Sequence, residues 1–151
     1  GLGEPIRAVA VLSLAIKLRE DYYAARLLRG TILLENHILD DAAQDADYLF
    51  THLEPNEDVL LLKARVLKAQ EKMKEAEQVY GMVIEVNPFS LDAYRERSEV
   101  RTILGDAAGA AEDEASIKEM GAEVPEPSEG IEQKIKEKMQ QMDPYKVFHN
   151  E

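Results

Sequence analysis

Histidine, cysteine and clustered carboxylates are the side chains most able to carry chemistry, and their placement in this chain narrows what chemistry is open. The sequence has three histidines, His37, His52 and His149, and no cysteine. Without cysteine there is no thiolate nucleophile, no Cys-ligated zinc and no disulfide framework. None of the histidines stands at the helical spacing that sets two imidazoles on one face for a metal. Asp40, Asp41, Asp45 and Asp47 form an acidic cluster, and hard divalent cations take several carboxylate oxygens. The cluster lacks the central glycine and closing glutamate of an EF-hand loop. Asp40 and Asp41 fit better as first-turn carboxylates of a helix, where they meet free N–H groups and the positive end of the dipole. Ala111-Glu112-Asp113-Glu114 reads the same way, as the solvated first turn of a later helix. There is no Gly-rich phosphate loop, nucleophile elbow or Ser/His/Asp order. The residues point away from an enzyme and imply neither metal nor cofactor.

The elements that would position any site follow from a repeat. Ala8, Ala42, Ala76 and Ala110 are spaced 34 positions apart. Twelve places before the last three lie Gly30, Ala64 and Ser98, all small, each preceded by a basic residue: Arg29, Lys63 and Arg97. Seven places after the four alanines lie Ala15, Leu49, Val83 and Ile117, all apolar. Within each unit apolar residues recur at three and four, as in Ala42, Ala46, Leu49, Phe50 and Leu53, which is helical periodicity. Breaks at Glu54-Pro55-Asn56, Asn87-Pro88 and Gly105-Asp106 fall where antiparallel helix pairs need turns. The spacing predicts helices over 5–19, 23–36, 40–53, 57–70, 73–86, 90–104, 107–119 and 130–142, and no sheet. Small residues at fixed columns let two helix backbones approach to about 8–10 Å.

A unit of this length, a helix-turn-helix with small residues at two fixed columns, resembles the tetratricopeptide repeat. In residues 89–122, Tyr94 holds the early aromatic position, Ser98 and Ala110 the small columns and Gly105-Asp106 the turn. Residues 57–88 supply Leu60, Ala64, Ala76 and Tyr80 and close on Asn87-Pro88. Residues 23–56 carry Arg29-Gly30 and Ala42, and residues 1–22 match the second half of a preceding unit. The resemblance implies an all-α superhelix of antiparallel helix pairs with a concave and a convex face. It also implies that the first helix of each pair lines a peptide-binding groove. The columns concerned hold Leu27, Thr31 and Leu34, then Asp58, Leu61, Arg65 and Lys68, then Asp92, Arg95, Glu99 and Thr102. Such a groove runs from an apolar end at Leu27, Leu34 and Leu61 to a charged end at Arg65, Lys68 and Arg95, and suits a segment with an apolar anchor and an acidic group. Relatives that clamp chaperone tails use lysine and asparagine where this chain has Leu27 and Thr31. Arg29, Lys63 and Arg97 read as partners of nearby acids or as stems lying along packed helices.

The chain has 151 residues and a net charge of −12, which repels phosphate backbones and anionic bilayers. The expected partner is therefore a protein or peptide, with no nucleic acid and no membrane. The longest apolar stretch, Ile6 to Leu18, is too short for a span of about 20 residues and lacks the flanks of a signal peptide. The cytoplasm is the expected compartment. Residues 123–130 have linker composition. Beyond them Ile131, Ile135, Met139 and Met142 make one apolar stripe, and residues 131–151 are expected to form a C-terminal capping helix and tail. Helix 5–19 is apolar nearly all round, although the first helix of its own pair is missing. Self-association through this helix, as a structural homo-oligomerisation module, or truncation of a longer array would resolve that conflict.

Overall fold

The computed structural model describes residues 3–121, which form seven α-helices and, among those residues, no strand. They are α1 (Gly3–Leu18), α2 (Tyr23–Glu35), α3 (Leu39–His52), α4 (Glu57–Ala69), α5 (Met73–Val86), α6 (Leu91–Ile103) and α7 (Ala107–Glu119). The expected linker and capping helix lie outside the described residues. Side-chain caps open three helices: Asn56 Oδ1 accepts from the Val59 amide at 3.0 Å, Ser90 Oγ from Ala93 at 3.3 Å and Asp106 Oδ1 from Gly109 at 2.9 Å. Each cap fills an amide that has no partner inside its helix.

The turn inside each pair repeats with the sequence period. The amides of Ile38, Lys72 and Asp106 donate to the carbonyls of Leu33, Leu67 and Arg101 at 2.9, 2.9 and 2.8 Å. This six-residue closure requires a left-handed residue just before the donor. That residue is His37 (φ 61°), Glu71 (φ 65°) or Gly105 (φ 83°). One backbone turn is thus built three times, with glycine at only one of them.

Every helix packs on the next along the chain, and α2 also touches α4. The first helices α2, α4 and α6 form one row, and α3, α5 and α7 form the other. The small columns lie where the rows meet: Ala42, Ala64 and Ala76 are fully buried, and Ser98 and Ala110 nearly so. At Gly30 a methyl group would sit 2.9 Å from Leu62 Cδ2 and 3.1 Å from Asp45 Cβ, so the close approach of α2 to its neighbours depends on the missing side chain. Around these contacts one apolar cluster gathers Leu33, Leu49, Val59, Leu62 and Val66, and another gathers Leu60, Leu61, Tyr80, Val83 and Val100.

Candidate functional site

The histidines do not assemble a site. His37 is a turn residue, His52 stacks on Tyr48 with centroids 3.9 Å apart while its Nδ1–H donates to the Tyr48 carbonyl at 2.8 Å, and His149 lies outside the described residues. Among the described residues no cluster of His, Asp and Glu has the geometry of a metal site. No described helix is long and apolar enough to cross a membrane.

Asp40 and Asp41 occupy the first turn of α3, as their position in the sequence suggests. Asp113 is different: it is not a solvated first-turn residue but is 1 % exposed, and so is Asp45. Asp45 lies under Arg29, whose Nε donates to Oδ2 at 2.8 Å while Nη1 reaches Ser13 Oγ at 3.0 Å. Asp113 lies under Arg97 through Nε at 3.0 Å and Nη2 at 2.6 Å, and Arg101 adds a bond at 3.2 Å. Two-pronged guanidinium–carboxylate pairing of this kind offsets the cost of burying both charges. The hydrogen bonds that Arg29 donates to Asp45 raise its pKa against the opposing effect of burial.

The same column in the middle repeat holds Val79, and there Lys63 turns instead to Asp47 at 2.8 Å. The recurring basic residues therefore bind acids within the fold. Arg29 and Arg97 each stand sixteen residues before their aspartates, and that spacing was the sequence signal for both buried acids.

The first-helix row carries the groove columns. Leu27, Thr31 and Leu34 of α2 and Asp58, Leu61, Leu62 and Arg65 of α4 line a pocket of about 170 Å³. Leu61 is mostly core, Leu27 and Leu34 are half-buried, and Asp58 is exposed at the rim. Thr31 spends its hydroxyl on the Leu27 carbonyl at 2.8 Å, and Thr102 spends its own on Ser98 at 3.0 Å.

Arg65 is held by Glu96, with Nε to Oε1 at 2.9 Å and Nη2 to Oε2 at 2.8 Å, and approaches Asp92 at 3.4 Å. Lys68 binds Glu99. Tyr80 donates to Glu96 at 2.8 Å from the second row; burial first, and then the Glu96 charge, push its pKa well up, so it stays a neutral donor. The sequence leads one to expect Arg65 and Lys68 as open cations, and the structure commits both to acids on α6. Arg95 is exposed and has no ion pair among the described residues. A wider cleft of about 480 Å³, lined by Ile6, Val9, Ile32, Leu33 and Ile38, lies between α1, α2 and α3. It recurs one repeat later, at about 160 Å³, around Ala43, Val66, Leu67 and Lys72.

The shape of the helix array matches known structures. Residues 41 to the end of MamA from Desulfovibrio magneticus RS-1 superpose with a TM-score of 0.75 at 18 % identity, over 80 % of this chain and 68 % of that one. A tetratricopeptide repeat protein from Parabacteroides merdae ATCC 43184 gives 0.67 at 21 % identity, over 82 % of this chain and 48 % of its own length. The fold is that of a tetratricopeptide-repeat solenoid. A further MamA crystal structure agrees, with a TM-score of 0.72 at 16 % identity over 77 % of this chain and 68 % of that one. No family model matches the sequence, and no curated protein matches it. The likeness lies in the backbone, where the period of small residues sets how closely helices pack. In this solenoid α2, α4 and α6 are the first helices of their pairs, and α1, α3, α5 and α7 hold the second-helix places.

Proposed function

We propose that the chain is a non-catalytic interaction module that holds a peptide or protein segment along the row of first helices, in an adaptor or assembly role. The pocket between α2 and α4 carries this reading, because it offers an apolar seat among Leu27, Leu34 and Leu61 with Asp58 at its rim. An apolar anchor enters that seat, and a basic group or backbone N–H of the segment meets Asp58. An acidic group of the segment meets Arg95, the cation of these columns that has no ion pair among the described residues. Thr102 and Glu99 continue the same row beyond Arg95, and Asp92 lies beside Arg65. Extended or helical peptides are recognised in such grooves through a few apolar anchors and charge register.

The test is selection of a displayed random dodecapeptide library on the purified chain. Enriched peptides are expected to share an apolar anchor and to lose binding at least tenfold to Leu34→Asp, with the helical circular dichroism of the variant unchanged. Enriched peptides indifferent to Leu34→Asp and to Arg95→Glu would refute the groove.

A further inference from the structure

The first-helix row contains the same gap twice, and the molecule fills one of the two itself. Between α4 and α6 the facing columns are bridged: Arg65 reaches Glu96 at 2.8 Å and Asp92 at 3.4 Å, and Lys68 holds Glu99. Between α2 and α4, one period earlier, Thr31 and Leu34 stand in the places of Arg65 and Lys68, and Leu62 stands in the place of Glu96. These shorter or uncharged side chains make no bridge, and the pocket of about 170 Å³ is the space they leave. Asp58 holds the place of Asp92, and both are first-turn carboxylates of their helices. Asp92 has a guanidinium beside it, whereas Asp58 is exposed and has no ion pair among the described residues. α2, α4 and α6 each pack on a second-row helix to either side, so the two gaps have like walls apart from these side chains.

We infer, on the groove reading above, that the bound segment supplies what this gap lacks: one long basic side chain, arginine in the first place. Its methylene stem lies on Leu27, Leu34, Leu61 and Leu62, and its charged head meets Asp58 at the rim. The apolar anchor and the basic group of the segment are then a single residue. Arg65 is the internal precedent, a guanidinium spanning two neighbouring first helices. A guanidinium can meet a carboxylate through two parallel bonds, which an ammonium cannot, and this favours arginine over lysine.

Charge and size agree with that occupant. Asp58, Asp92, Glu96 and Glu99 outnumber Arg65, Lys68 and Arg95 along α4 and α6, and the chain carries −12 overall, so a cation is drawn to this row. Arg65 opposes it little, because Glu96 takes bonds from two of its nitrogens. The volume is below the roughly 300–1,000 Å³ of sites that enclose a small molecule, and it suits one side chain.

The probes are the peptides enriched from the displayed dodecapeptide library, resynthesised with a fluorophore and titrated by anisotropy against the full chain. They are expected to share one arginine or lysine. Norleucine at that position keeps the stem and removes the charge, and should weaken binding roughly three- to fivefold, as for an ion pair at a rim. Asp58→Asn should weaken the basic peptide to the same extent and leave the norleucine peptide unaffected. Thr31→Arg copies the α4 arrangement into α2; it should pair with Asp58, close the seat and weaken binding at least tenfold, with helical circular dichroism unchanged. Peptides that lose binding to Leu34→Asp yet share no basic residue, or bind as well or better with norleucine, would overturn this inference and leave the groove standing. Full binding by Thr31→Arg would do the same. Peptides indifferent to Leu34→Asp and to Arg95→Glu, or no enrichment at all, would overturn both.

Discussion

Asp113→Val is the most informative single change, because the molecule contains its own control. Asp113 is 1 % exposed and takes bonds from Arg97 and Arg101, whose side chains are each only 17 % exposed. Removing it leaves Arg97 without its carboxylate, whereas Arg101 keeps Glu77 at 2.9 Å and the Gly109 carbonyl at 3.1 Å. Taking one partner from a buried pair costs about 3–5 kcal/mol. At a urea slope near ~2 kcal/mol/M that lowers the midpoint by roughly 1.5–2.5 M. Each repeat touches only its neighbours, so the loss should fall first on α6 and α7. The middle repeat solves the same problem with Val79, Lys63 and Asp47, and the residues at the corresponding places one repeat later are Asp113, Arg97 and Gly81. Gly81 has room, since a methyl group there would lie 3.7 Å from Arg97 Nη1. The triple variant Gly81→Asp, Arg97→Lys, Asp113→Val imports the middle arrangement and should recover most of the loss. Urea melts followed by circular dichroism measure both. A single variant within about 1 kcal/mol of the parent would refute the reasoning for the ion pair, and a triple no more stable than the single would refute the equivalence of the columns.

Three further outcomes follow from the packing. Ala76→Leu, at a fully buried crossing, should cost about 1–3 kcal/mol by overpacking, read as a lower urea midpoint. Gly30→Leu should cost a similar amount, about 1–3 kcal/mol, because Asp45 Cβ and Leu62 already stand within contact of the added carbon; hydrogen exchange should show the loss in α2 and α3. Asn56→Ala removes the bond to the Val59 amide and should cost about 1 kcal/mol, visible as faster exchange at the start of α4.

The helices were legible because the alanines, the small columns and the Pro and Gly breaks fix one period, and packing at that period leaves little freedom. Helix ends shifted by only one or two residues, as at α1, which begins at Gly3 where periodicity suggests residue 5. The charges were less legible. Reading Asp113 by its neighbours in sequence makes it a solvated end, whereas its fate depends on Arg97, sixteen positions upstream and one helix away. Arg65 and Lys68 sit in columns that the repeat pattern assigns to a groove, but side chains that long reach the next first helix, and Glu96 and Glu99 meet them there. Column position tells which way a side chain sets out, while pairing depends on what stands across the gap.

The turns inside the helix pairs have a practical consequence. Beta-carbons disfavour the conformation held by His37 and Glu71 by roughly 1 kcal/mol or more each, and glycine gives back part of that through its freer unfolded chain. His37→Gly and Glu71→Gly should thus harden the scaffold against heat at two points outside the groove columns. Resistance to denaturation could then be adjusted without altering the side chains of the first-helix row.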